Sequence, residues 1–187
     1  MFAEGPRHPY EVHALMRRRR EDLIVKLRAG SLYHAISRLA AAGLVEVVGQ
    51  DRAGNRPERT TYAITHSGRE ALATWVLETL RAREPEYPTY LVGIAEMHAA
   101  PKDEVIEALT ARVSELDADL AELDEGLAST RAKGIPRLYL LDVDLLRARI
   151  RAERDWTGSI VTALRDGTIS WYGPGDILTT ADDLAAA

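Results

Sequence analysis

"RAGSLYHAISRLAAAGLVEVV", residues 28–48, changes its period halfway along. Up to Ala42 it reads as a helix, Gly43 interrupts it, and Leu44 to Val48 reads as a strand. On a wheel of about 100° per residue with Leu32 at zero, Ile36 falls near 40°, Leu39 near 340° and Ala35 near 300°. One narrow apolar stripe is therefore available for burial. Ser31, His34, Arg38 and Ala41 occupy the opposite side, with Tyr33 and Ser37 on its flank. No acidic residue lies among them. Such a face suits phosphate oxygens and base edges, which a carboxylate would repel.

The flanking segments supply the rest of a DNA-binding unit. Residues 9–20 read as a helix with Pro9 in its first turn, where the missing N–H costs nothing, and with Tyr10, Val12, Leu15 and Met16 on one side. Ser31 or its neighbour is expected to cap the second helix, and Gly43 to close it in the left-handed region. Leu44–Val48 and Thr61–Ile64 form two short β-like runs around "GQDRAGNRPER", whose Gly, Asn and Pro mark a turn. A helix over 67–82 follows, with His66 helping to cap it and Leu72, Trp75, Val76 and Leu80 as its buried side. Two helices, a glycine, a hairpin with a basic tip and a further helix spell a winged helix-turn-helix. The expected DNA contacts are Arg28, Ser31, Tyr33, His34, Ser37 and Arg38, with Arg52, Arg56 and Arg59 on the wing.

Charge divides the chain in the same place. The net charge is −5, yet residues 1–83 hold 14 Lys/Arg against 9 Asp/Glu, and residues 84–187 hold 10 against 20. A polyanion-facing module is thus joined to an acidic one with another task. With 46% hydrophobic residues the chain can bury a core. It has no cysteine, which excludes thiolate metal sites and cysteine nucleophiles and fits a reducing compartment. With no basic, apolar leader at Met1–Pro6 and no apolar stretch approaching 18 residues, the expected location is cytoplasmic, with no membrane contact.

The second half reads as helices. Residues 86–100 suggest a short one started by Pro88. From Pro101, a long helix carries Ile106, Leu109, Val113, Leu116, Leu120, Leu123 and Leu127 in strict 3,4 alternation, the spacing of a coiled-coil seam. Gly134 and Pro136 end it, and 137–166 returns as a second helix through Leu138, Leu141, Leu145, Ile150, Ile160 and Leu164. Each has roughly 28 residues, about 40 Å at 1.5 Å per residue. A hairpin so thin is expected to pack against a second copy, with the seam joining the protomers. The tail from Gly167 reads as irregular or loosely docked.

Residues 4–80 resemble the PadR family of bacterial transcriptional regulators. The resemblance is carried by "EGPRHPYEVHALM", "GSLYHAISRLAAAGLVEVV" and "RTTYAITHSGREALATWV" at these spacings. The second half is similar to the long helical domain of members related to virulence activators. The family usually has a full helix before its Gly-Pro-x-His motif, where Met1 to Glu4 stand here, and commonly glycine where this chain has Pro9. The resemblance implies a homodimer on a palindromic operator, often as a repressor released by phenolic acids or flat aromatic drugs. It also matches Tyr33 to a tyrosine on the DNA backbone, Tyr10, Ser31, His34 and Arg38 to helix-turn-helix positions at the DNA, and Arg56 and Arg59 to the basic wing.

The expected fold is mainly α with a small β-hairpin wing. A winged helix-turn-helix DNA-binding domain spans 1–83, an antiparallel helical hairpin for dimerisation and effector binding 84–167, and an irregular tail 168–187. The expected partners are a double-stranded DNA operator, a second copy and a small aromatic effector. Tyr87, Tyr90 and Trp156 are offered to that effector where the domains meet; the same aromatics, with Tyr139, Trp171 and Tyr172, could instead fill helix junctions. A coiled-coil interaction protein using its winged helix to bind protein is the alternative, but it has no need of an acid-free, arginine-bearing face. No nucleotide loop, nucleophile elbow or His-x-x-x-His pair is present, so neither an enzyme nor a metal or other cofactor is expected. The Arg17–Arg20 run reads as a solvated helix end.

Overall fold

The computed structural model describes residues 1–51, 59–83 and 85–172, with backbone alone for Asp51 and Arg59. It contains two compact units, Met1–Pro85 and Glu86–Ala187.

In the first unit, α1 (Pro9–Arg18) starts in a capping box: His8 Nδ1 accepts from the Tyr10 N–H at 3.1 Å, and the Glu11 carboxylate accepts from the His8 N–H at 2.9 Å. The helix stops two residues before the end of the arginine run. Arg19 is held by Glu4 through two bonds of 2.6 and 2.8 Å, and Arg20 turns the chain in the left-handed region at φ 58°. The Arg19 hydrogen bond also holds the Glu4 carboxyl below the usual glutamate range. Arg19 is thus tied to the N-terminal segment, a correction to the reading of that run as merely solvated.

Helix α2 (Ala29–Ala41) begins earlier than expected. Arg28 is its N-cap, no side chain caps it, and Ser31 already lies inside its first turn. Gly43 closes it at φ 69°, as the sequence suggested. Of the apolar stripe, Ile36 is buried at 3% exposure, Leu32 and Ala35 are half-buried, and Leu39 is exposed at the rim.

Strands β1 (Val45–Asp51) and β2 (Arg59–Ile64) pair antiparallel, with an irregularity between Val47 and Gly49 that leaves Val48 unpaired. Arg7 adds a third rung at the edge, exchanging backbone bonds of 2.9 and 3.0 Å with Tyr62. Val12, Leu15, Ile36 and Val45 form the buried apolar centre of this unit.

Helix α3 (His66–Arg81) corrects two expectations. Its cap is Thr65, whose hydroxyl accepts from the Gly68 N–H at 3.0 Å, and His66 is simply its first residue. Its supposed core side is open: Leu72, Trp75, Val76, Leu77 and Leu80 are all exposed, Leu80 at 78%. Gly68 alone is buried on this helix. A Cβ there would stand 2.0 Å from the Leu44 carbonyl oxygen, so only glycine permits so close an approach to the end of the helix-turn-helix.

The second unit contains α4 (Thr89–Ala95), α5 (Lys102–Ala132) and α6 (Leu141–Asp166). Helices α5 and α6 form the expected antiparallel hairpin, but its seam faces inward. Leu109, Leu116, Leu120, Leu123 and Leu127 are buried within the single chain, and Ile106 and Val113 are half-buried, with α6 as the helix packed along α5. These residues have little area left to give a partner. The 3,4 spacing therefore marks an intrachain seam rather than the dimer contact expected of it.

Ion pairs run along both flanks of the hairpin: Arg112 with Glu153, Asp117 with Arg154, Asp124 with Arg147, and Arg131 with Asp144. Where the two helices end together, Val105 and Leu109 meet Val161 and Leu164, with Tyr90 and Ile94 from α4 against them. The return helix is preceded by a 3₁₀ turn over Arg137–Leu140, and Leu138, Leu141 and Leu145, expected on its apolar side, are exposed. Leu164, expected there, is fully buried, and Leu140, Thr157 and Val161 take the other buried positions. The start of the tail is docked rather than loose. The Ile169 N–H donates to the Ala163 carbonyl at 3.0 Å, and Ile169 and Trp171 pack on the same cluster; residues 173–187 lie outside the described residues. Among the described residues no helix is long and apolar enough to cross a membrane.

Candidate functional site

The outer side of α2 is assembled by helical period alone. With Ile36 drawn into the core, Ser31, Tyr33, His34, Ser37 and Arg38 are all exposed, Tyr33 at 46%. Ser31, His34, Ser37, Arg38 and Ala41 border an open depression of about 500 Å³ along the helix. The Ser37 hydroxyl donates to the Tyr33 carbonyl at 3.1 Å. Arg28 stands exposed at the N-cap, where the uncapped amides of the first turn and the positive end of the helix dipole suit an anion. Tyr10 lies in the first turn of α1 and is 68% exposed. Arg52 and Arg56 lie outside the described residues, and Arg59 is described only as the first backbone position of β2.

A second candidate site lies within the C-terminal unit. Tyr90, Leu91 and Ile94 of α4, Arg112 of α5, and Glu153 and Trp156 of α6 line a cavity of about 430 Å³. The Arg112 guanidinium carbon sits 3.6 Å from the centroid of the Tyr90 ring, within reach for cation–π attraction. Its Nε donates to Glu153 at 2.8 Å. Tyr90 is fixed from its other end by a 2.9 Å hydrogen bond to Thr157, whose side chain is fully buried. Trp156 keeps 45% of its surface exposed at this cavity. Of the three aromatics offered to an effector, Tyr90 and Trp156 thus line one cavity. Tyr87 is 88% exposed and is not among its walls.

Sequence reading missed Arg112, Glu153 and Thr157. They come from helices far apart in the chain, and each alone is an ordinary polar helix residue. Among the described residues there is no group of His, Asp and Glu that could hold a metal ion.

Residues 1–74 match the model of the transcriptional regulator PadR-like family. The match covers the N-terminal unit. No curated protein sequence matches it, but solved structures share its fold. Bacillus subtilis PadR in complex with operator DNA has a TM-score of 0.73 at 16% identity, covering 86% of this chain and 93% of that one. The same regulator in complex with p-coumaric acid has a TM-score of 0.70 at 15% identity, covering 87% and 92%. A PadR-like transcriptional regulator from Bacillus cereus has a TM-score of 0.64 at 14% identity, covering 88% and 93%. The chain thus shares the fold of these PadR-like regulators, a winged helix followed by long helices.

Proposed function

We propose that this PadR-like protein is a homodimeric repressor that reads a palindromic operator through α2 and is released by a small aromatic effector. The observation that carries the reading is the exposed face of α2, with two hydroxyls, a phenol, an imidazole and a guanidinium and no acid. Tyr33, Arg28 and the open first turn of α2 contact phosphates, and Ser31, His34, Ser37 and Arg38 reach base edges or the backbone beside them. Arg52, Arg56 and Arg59 of the wing add phosphate contacts, and Tyr10 a further one. The fold shared with a regulator solved on operator DNA supports this assignment.

The leucine seam being occupied inside the hairpin, the second copy is held by other apolar side chains. Trp75, Val76 and Leu80 of α3, and Leu138 and Leu145 around the start of the return helix, are among the large exposed ones. The effector site is the cavity at Tyr90 and Trp156. A neighbour of the same fold solved with p-coumaric acid supports an aromatic ligand.

Selection of the full-length chain on a pool of random duplexes tests this function. Enriched duplexes should share two inverted half-sites about one helical turn apart, or a multiple of that, and should bind two chains each. A pool that stays random after repeated rounds would refute it.

A further inference from the structure

The cavity of the C-terminal unit contains one cation and one anion, and they are already paired. Arg112 donates to Glu153 from Nε at 2.8 Å and approaches it with a terminal nitrogen at 2.5 Å. The other walls are mainly apolar or aromatic. A charged aromatic guest must therefore bind one member of this pair with the other beside it, and the two cases are not equivalent.

An aromatic carboxylate would take Arg112. Glu153, only 35% exposed, has no other hydrogen bond or ion pair among the described residues. It would then face a second anion across the same guanidinium, and like charges brought together disfavour each other. An aromatic cation would take Glu153. Arg112 would then still lie over the face of Tyr90, at 3.6 Å from its centroid, and so keep one favourable electrostatic contact. Trp156 presents the aromatic face best suited to attract a cation. The surrounding field acts in the same direction, because residues 84–187 hold 20 Asp/Glu against 10 Lys/Arg and an acidic surface concentrates cations near it.

We infer that this cavity selects a planar aromatic cation over an aromatic acid, with Glu153 as counter-ion and Trp156 as stacking platform. The inference rests on the effector reading above and adds the sign of the ligand's charge.

Two probes with one ring system and opposite charge test it: 2-naphthylmethylammonium and 2-naphthoate, titrated calorimetrically into the full chain without DNA. The cation should bind saturably, one per chain, and at least tenfold more tightly than the acid. Glu153→Gln should remove most of that preference. Trp156→Ala, at a half-exposed position that leaves the helical core in place, should weaken the cation while the circular dichroism spectrum is unchanged. Tighter binding of the naphthoate would overturn the charge assignment but leave an aromatic effector site standing. Heat from neither probe would overturn both, without touching the assignment of α2 to DNA. A cation preference that survives Glu153→Gln would remove Glu153 as its cause.

Discussion

Gly68→Ala adds one methyl group in the first turn of α3, yet it should be among the most damaging small changes in the N-terminal unit. The new Cβ would stand 2.0 Å from the Leu44 oxygen and 2.8 Å from the Ile64 side chain. Backbone oxygen cannot rotate aside as a side chain can. The Leu44 carbonyl also accepts from the Thr65 N–H at 3.1 Å, and the Thr65 hydroxyl caps Gly68 at 3.0 Å. Relieving the overlap therefore loosens two hydrogen bonds as well. Overpacking of this kind costs about 1–3 kcal/mol, and each weakened bond about 1 kcal/mol. The better helix propensity of alanine offsets at most about 1 kcal/mol. A net loss of about 2–4 kcal/mol corresponds to a melting point lower by roughly 10–30 °C in a unit this small. Emission from Trp75, read in a Trp156→Phe/Trp171→Phe background, isolates the N-terminal unit. Gly30→Ala is the control, since no atom lies within 4 Å of its added Cβ; it should be neutral or stabilising by up to about 1 kcal/mol. Equal melting points for the two variants would refute the close-approach account of Gly68.

Four further outcomes follow from the same geometry. The Glu4 carboxyl is held low by its bond to Arg19, so its contribution to stability is present above the ordinary glutamate range and disappears as pH falls through its folded value. Both groups are over a third exposed, so Glu4→Gln should cost no more than about 0.5–1 kcal/mol at pH 7, and parent and variant should converge in urea titrations as pH falls below the ordinary glutamate range. Leu120→Ala removes buried volume between α5 and α6 and should destabilise the C-terminal unit by about 2–5 kcal/mol. Leu116→Asp with Leu120→Asp should accordingly unfold the hairpin; a helical, folded monomer in circular dichroism and light scattering would return the seam to the dimer contact. Trp75→Glu with Leu80→Glu, by contrast, should give folded monomers in light scattering, and an intact dimer would exclude α3 from the interface.

Most of the N-terminal unit was legible because its signals are local. Pro9, Gly43 and the 100° period around Ile36 each act within one or two turns, and the acid-free side of α2 is what remains once the stripe is buried. What covers an apolar stripe is not local. Leu72, Val76 and Leu80 read as core because their spacing matches a helix face, yet the spacing is the same whether that face meets its own domain or a second copy. The leucines of α5 failed in the opposite direction. A 3,4 seam is identical whether α6 or another protomer fills it; the burial of its leucines and the ion-pair ladder from Arg112–Glu153 to Arg131–Asp144 reveal the intrachain pairing. The Arg112–Tyr90–Thr157 arrangement joins three helices and left no motif to find. The capping box at His8 and Glu11 was readable from its i, i+3 spacing and was overlooked because histidine is an unusual cap.

The central claim is that α2 meets DNA with its acid-free face, and the salt dependence of binding tests it most directly. Fluorescence anisotropy on a duplex enriched from the random pool, measured from 50 to 200 mM salt, gives the slope of log Kd against log salt. Each phosphate contact should contribute about 0.9 to that slope. Arg38→Ala should therefore bind more weakly with a slope smaller by about one, and Tyr33→Ala should bind more weakly while its fold is retained. Wild-type affinity and slope in both variants would contradict the account.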